Sequence, residues 1–392
     1  MKKRYQTLIL TGLFWSLTIQ AGTDYSTENA SADEFWTADR LRNAKPLPLP
    51  RARIDESMLQ SVFEPYAYDY EERVSVSGNP PVISIKPNKT KLFEPIESEL
   101  QHDSENKALS DDQKAKPYDY GAYTSDHGIR IKGNAYFTSS RVGFDAKKVD
   151  TQKSWPFSAT GKLYFVANRS KGECTASVIR RNIVLTAGHC VYDPVKKQYS
   201  KEIRFVPAFH NGTDPYGTWR VDGEPIVTES WRKGKGTVPN RGDYALLVMK
   251  PDNKGRIIGD VTGYYGYVTY GLDPNHVTML GYPGNFDGAL WMHRVDAQSH
   301  YREIIGNTVI YGSDMGGGSS GGPWLENFGL KSNHQSQNMN YVVGVTSYGP
   351  IAEDEEDPDF DPNNNKHLGS SILDAQFTDI LKKACARNKR NC

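Results

Sequence analysis

"GGGSSGGPW", residues 316–324, sets two adjacent serines in a run of glycines, and its reading decides the fold. Glycines on both sides suit a backbone that turns tightly and brings its N–H groups close to a ligand. The same run is also compatible with a plain surface loop. Its inner string "GSSGG" fits G-x-S-x-G, the strand-to-helix elbow that exposes a serine in a serine esterase or lipase of the α/β-hydrolase type. That elbow needs strands alternating with helices, and an Asp and then a His after the serine. Here the later histidines are His334 and His367, and no alternating series is visible. The esterase reading is therefore the weaker one.

Outward from this turn, from Trp155 on, short apolar or alternating runs recur between Gly, Asn, Asp and Pro turns: "KLYFVAN", "NIVLTA", "IRFVPAF", "DYALLVM", "HVTMLGY" and "YVVGVTSYG". Many short strands with few helical periods predict an all-β barrel or sandwich pair. The exception is the end, "LDAQFTDILKKACARNKR", where Leu373, Phe377, Ile380, Leu381 and Ala384 recur at helical spacing and predict a closing helix.

The 392 residues carry 47 basic and 47 acidic side chains, so no global field favours nucleic acid as a partner. The first residues, "MKKRYQTLILTGLFWSLTIQAG", have a basic start, an apolar run from Leu8 to Ile19 and Ala21 at a plausible cleavage point. They read as a secretory signal over residues 1–21, too short in its apolar part to be a membrane span. No later stretch approaches that length, so an exported, soluble protein is expected, with cysteines free to oxidise. Residues 22–150 hold many Pro, Ser, Asp, Glu and Lys, as in "KPLPLPRAR", and read as a pro-region or linker. A catalytic domain is expected over residues 151–392.

A serine hydroxyl needs a neighbouring imidazole to take its proton, and the imidazole needs a carboxylate to orient it. His189 in "VLTAGHC", Asp243 in "RGDYALLVM" and Ser320 supply the three types, with Asp252 and Asp260 near enough in sequence to compete for the carboxylate role. A zinc site at His189 would want further Cys or His close by in sequence beyond Cys190, so no metal is expected, and acyl transfer needs no cofactor.

"TAGHC", "DYALL" and "SGGP", in that order, resemble the three signature segments of the chymotrypsin-like serine peptidases, in particular their secreted bacterial branch. The resemblance covers about residues 155 to 390. It implies a double six-stranded β-barrel of the chymotrypsin type with a C-terminal helix, preceded by a poorly structured pro-region. It implies Ser320 as nucleophile, His189 as general base and acid, and Asp243 as the group that fixes the imidazole, with polypeptides as substrates. The backbone N–H groups of Gly318 and Ser320 would form the oxyanion hole, and Cys174 would pair with Cys190. Ser347, Tyr348 and Gly349 would offer an edge to which an extended peptide adds.

Asp314 stands six residues before Ser320, where trypsin-type members bind Arg or Lys, although Gly316 replaces a family cysteine that frames the pocket. Thr346 and Ser347 occupy the region where glutamate-specific members place a histidine, which disfavours glutamate. Ser319 stands where many members have an Asp that pairs with a newly cut N-terminus, so latency is expected to come from residues 22–150. Cys385 and Cys392 are expected to close a terminal loop, with free thiols or pairing between molecules as alternatives. The acidic run "EDEEDPDFDPNNN" is expected to be a solvated rim, since it lacks the glycine and glutamate of a helix–loop–helix calcium site. The alternative to an enzyme is a secreted binding module of the same fold without turnover.

Overall fold

Thr160–Ala167 (β1) and Ser170–Arg180 (β2) pair antiparallel without a slip, from Thr160 opposite Ser177 to Ala167 opposite Ser170. The two residues between them, Asn168 and Arg169, have positive φ of 50° and 69°, the mirror-image turn whose twist matches that of a hairpin. The computed structural model that shows this describes residues 35–52, 59–61, 73–95, 123–125, 128–130, 139–143, 151–272, 276–298, 301–303, 308–329, 339–350, 367–388 and 391–392. The expected signal and the acidic run after Ile351 lie outside the described residues.

Ile183–Thr186 (β3), Lys201–Pro207 (β4), Trp219–Arg220 (β5), Ile226–Val227 (β6) and Ala245–Val248 (β7) complete the first sheet. Its order is β5, β4, β1, β2, β3, β7, β6, with every neighbouring pair antiparallel. Leu163, Phe165, Val178, Val184, Leu246 and Phe205 fill its interior, none of them measurably exposed.

Gly266–Val268 (β8), His276–Gly281 (β9), His293–Gln298 (β10), Pro323–Glu326 (β11) and Tyr341–Val345 (β12) form the second sheet, in the order β8, β12, β11, β9, β10. His367–Ser371 (β13) joins it through the bridge from Tyr348 to Gly369 and pairs with Thr308–Gly312 on its other side. The two curled, mainly antiparallel sheets are the double β-barrel expected of the chymotrypsin type. The closing helix is Ala375–Arg387, capped by Asp374, and it buries Phe377, Ile380, Leu381 and Ala384 as its spacing predicts.

The regular pieces before residue 151 are short, and most attach to barrel edges. Lys45–Pro46 pairs with β2, Ser75–Val76 with β8, and Ser140–Arg141 with β10. Arg51–Ala52 runs parallel to Gly349–Pro350. Leu59–Ser61 pairs with Tyr301–Glu303.

Candidate active site

β3 ends at Thr186, and the chain passes through Ala187 into a single helical turn, Gly188–Val191, that carries His189. A Cβ on Gly188 would lie 2.8 Å from Trp231 Cδ1 and 3.0 Å from Asp243 Oδ1, so the close approach of this turn to Asp243 requires glycine. Asp243 sits at the foot of β7 with no exposed surface. Its Oδ1 accepts from the His189 backbone N–H at 2.8 Å, and its Oδ2 lies 2.8 Å from His189 Nδ1. The Ser347 hydroxyl donates to the same Oδ2 at 2.6 Å. A carboxylate so surrounded by donors makes Nδ1 the protonated ring nitrogen and leaves Nε2 as an acceptor. Asp252 and Asp260 are spent elsewhere: Asp252 accepts from Arg256 Nε at 2.6 Å, and Asp260 takes Arg181 Nε and Nη2 at 3.0 and 2.6 Å.

The glycine-rich turn separates its two serines. Ser319 is turned inward, its hydroxyl donating to Gly316 O at 2.6 Å, and its carbonyl accepts from Gly322 N–H at 2.9 Å. Gly321, at φ +78°, donates its N–H to Thr346 O at 2.7 Å, next to Ser347 and so next to Asp243. A Cβ on Gly321 would fall 2.2 Å from Thr186 Oγ1, which presses the turn against the end of β3. Ser320 Oγ and His189 Nε2 are both buried, and neither has a hydrogen-bond partner among the described residues. The Ser320 hydroxyl is thus the uncommitted one of the two.

Gly318 has φ +91°, and its N–H donates to the carbonyl of Leu47 at 3.0 Å. Leu47 N–H in turn donates to Glu173 O at 2.9 Å, and Gly349 N–H donates to Pro50 O at 3.0 Å. The edge expected to be open at Ser347, Tyr348 and Gly349 is therefore covered, by Arg51–Ala52 on the side of Gly349. "KPLPLP", read from sequence as linker, crosses the site. Its alternating prolines were the visible signal, but nothing local in them names a partner some 270 residues away in the chain.

Asp314 is half-buried, and its Oδ1 accepts from Ser139 N–H at 2.8 Å. Its carbonyl accepts from Asn285 Nδ2 at 2.9 Å. Cys174 is bonded to Cys190, and Cys385 to Cys392. Cys174, Cys190 and His189 lie within metal-ligand reach of one another, but both sulfurs are consumed in the disulfide. His367 had no signal in the sequence. It is buried on β13, has no partner at either ring nitrogen among the described residues, and is pushed down to about 4 by loss of solvation.

A family model described as Trypsin matches residues 148–363. The chain is 27% identical over 224 residues to a glutamyl endopeptidase of Bacillus licheniformis, covering 54% of this chain and 65% of the relative. It is 25% identical over 245 residues to an extracellular metalloprotease of Bacillus subtilis, covering 57% of this chain and 72% of the relative. A solved thermostable serine protease from an extremophilic microorganism superposes with a TM-score of 0.48 at 22% identity, over 59% of this chain and 98% of the other. The chain spans about two thirds of the length of the first of these relatives.

Proposed function

Because the chain belongs to the trypsin family, we propose that it is a secreted serine endopeptidase that cleaves polypeptides through an acyl-enzyme on Ser320. The observation that carries this reading is the fully buried Asp243, which holds both the backbone and the ring of His189. An imidazole fixed at Nδ1 presents Nε2 as the base. It takes the proton of Ser320 Oγ as that oxygen attacks the substrate carbonyl carbon. The negative charge on the carbonyl oxygen is met by the N–H groups of Gly318 and Ser320. When the tetrahedral intermediate collapses, the C–N bond breaks and Nε2–H protonates the departing amine. Water then repeats the sequence on the ester and frees Ser320.

Asp314 supports a preference for Arg or Lys before the scissile bond, since a half-buried carboxylate whose Oδ1 accepts from Ser139 N–H is a charge-assisted acceptor for a cation. The relative named a glutamyl endopeptidase favours the opposite charge. Against it, Thr346 stands where a histidine would be needed, and its hydroxyl already accepts from Trp324 Nε1 at 3.0 Å. A peptide-library profile separates the two: cleavage after Arg or Lys supports Asp314, and cleavage after Glu overturns it.

The test of the nucleophile is labelling with a fluorophosphonate, before and after limited proteolysis. Wild type and Ser319→Ala are expected to label and Ser320→Ala is not. A wild type that never labels would favour the non-catalytic binding module.

A further inference from the structure

"AKPLPLPRA", residues 44–52, crosses the candidate site with proline at positions 46, 48 and 50. Proline fixes φ and carries no N–H, so such a run is extended before it binds anything and presents chiefly acceptors. The cleft supplies the matching donors, Gly318 N–H to Leu47 O and Gly349 N–H to Pro50 O. Taking Ser320 as the nucleophile proposed above, we infer that residues 44–52 are an intramolecular inhibitor, whose Leu47 carbonyl occupies the oxyanion hole and whose path over Ser320 and His189 keeps the full-length chain latent.

Three features beyond those hydrogen bonds point the same way. The catalytic pair is covered: Ser320 has no exposed surface, the His189 side chain retains 7%, and Leu47 and Pro50 line the pocket beside His189. The cleft is cut to the strap: a Cβ on Gly284 would lie 2.5 Å from Pro46 Cγ, and one on Gly317 would lie 2.8 Å from Leu47 O and 3.2 Å from Pro48 Cα. Gly284 has an ordinary φ, so its missing side chain answers to Pro46 and not to a backbone requirement.

The strap is also delivered by an anchor. Trp36, Leu41 and Ala44, on and beside the short helix Ala38–Arg42, are each 5% exposed. Trp36 Nε1 donates to Glu202 O at 2.6 Å, and its ring lies 5.7 Å from that of Tyr164. Beyond the cleft, Ala52 is buried where Arg51–Ala52 joins the Gly349 edge. A segment tethered on both sides meets the cleft at a high effective concentration. The bond next to the hole, Leu47–Pro48, is a tertiary amide pinned at both ends, so a cut there would leave both halves in place to rejoin.

The experiment uses the full chain, the double variant Trp36→Ala/Leu41→Ala, which loosens the anchor, and Pro46→Gly/Pro48→Gly, which leaves the barrels untouched. Hydrogen exchange of the peptide spanning Gly316 to Gly322 reads occupancy of the Gly318 amide, and fluorophosphonate labelling of Ser320 reads latency. In the variants both rates are expected to rise about tenfold or more, as the open population grows. A synthetic peptide of residues 35–52 is expected to slow labelling again. Wild-type exchange as fast as that of both variants overturns the strap as occupant. Faster exchange with unchanged labelling, in a chain that does label, overturns its role as inhibitor and leaves the peptidase reading intact. Faster exchange with no labelling in any form, trimmed or intact, overturns the peptidase reading and the inhibitor role with it.

Discussion

Asp243 concentrates the chemistry of the site in one side chain, because a fully buried carboxylate with three donors is costly to alter. Asp243→Asn keeps the shape but offers Nδ1 an amide that can present its own N–H, which favours the wrong ring tautomer. In the chain released from its strap, kcat is expected to fall by about 10³–10⁴ at neutral pH with KM little changed, as measured on a peptide substrate. An equal loss in KM alone would make Asp243 a binding residue. At this scale the flanking segments point to His189 and Ser320 as candidates. Asp243 is singled out from Asp252 and Asp260 only through the resemblance of "DYALL" to a signature segment; the physical distinction lies in Arg256 and Arg181, which claim the other two through ion pairs. Local pattern could not show that Ser319 spends its hydroxyl on Gly316 O.

β13 carries the clearest dependence of stability on pH. His367 is buried with its pKa lowered to about 4, against an ordinary value near 6.5, so the native state holds it neutral. Above pH 6.5 it is neutral in both states and costs nothing. As pH falls from 6.5 to 4 the unfolded chain takes up a proton that the native one refuses, and stability drops by up to about 3 kcal/mol. Denaturant melts of His367→Leu are expected to show a shallower loss over that window than wild type. Parallel curves would mean that another group titrates. Among the elements, the closing helix was legible because its apolar residues share one face, whereas the strap was not. A helix records its partner face in its own spacing, but an extended proline-rich segment takes its meaning from edges elsewhere in the chain.

Across the whole molecule, a buried lysine of the first sheet, paired with a glutamate of the neighbouring strand, also reaches the turn between β9 and β10 of the second. Lys162 Nζ lies 2.6 Å from Glu173 Oε2, with both side chains under 5% exposed, and it also donates to Ala289 O at 2.8 Å. Glu173→Ala strands a buried ammonium, and thermal or denaturant melting is expected to show a loss of about 3–5 kcal/mol. The double variant Lys162→Met/Glu173→Leu should recover most of it; a double as unstable as the single would mean that packing, not charge, holds the pair. The Glu173 backbone also receives Leu47 N–H, so the same strand serves the core on one side and the strap on the other.

The short strands contributed by residues before 151 have one more consequence. Lys45–Pro46, Ser75–Val76 and Ser140–Arg141 lie along the rims of the two main sheets, and Arg51–Ala52 lies along the Gly349 rim. A molecule that sheds the leading portion after folding leaves some of those rims bare and loses the pairings that covered them. Its persistence then depends on how slowly it opens and no longer on a balance it can restore, so its lifetime is a matter of rate.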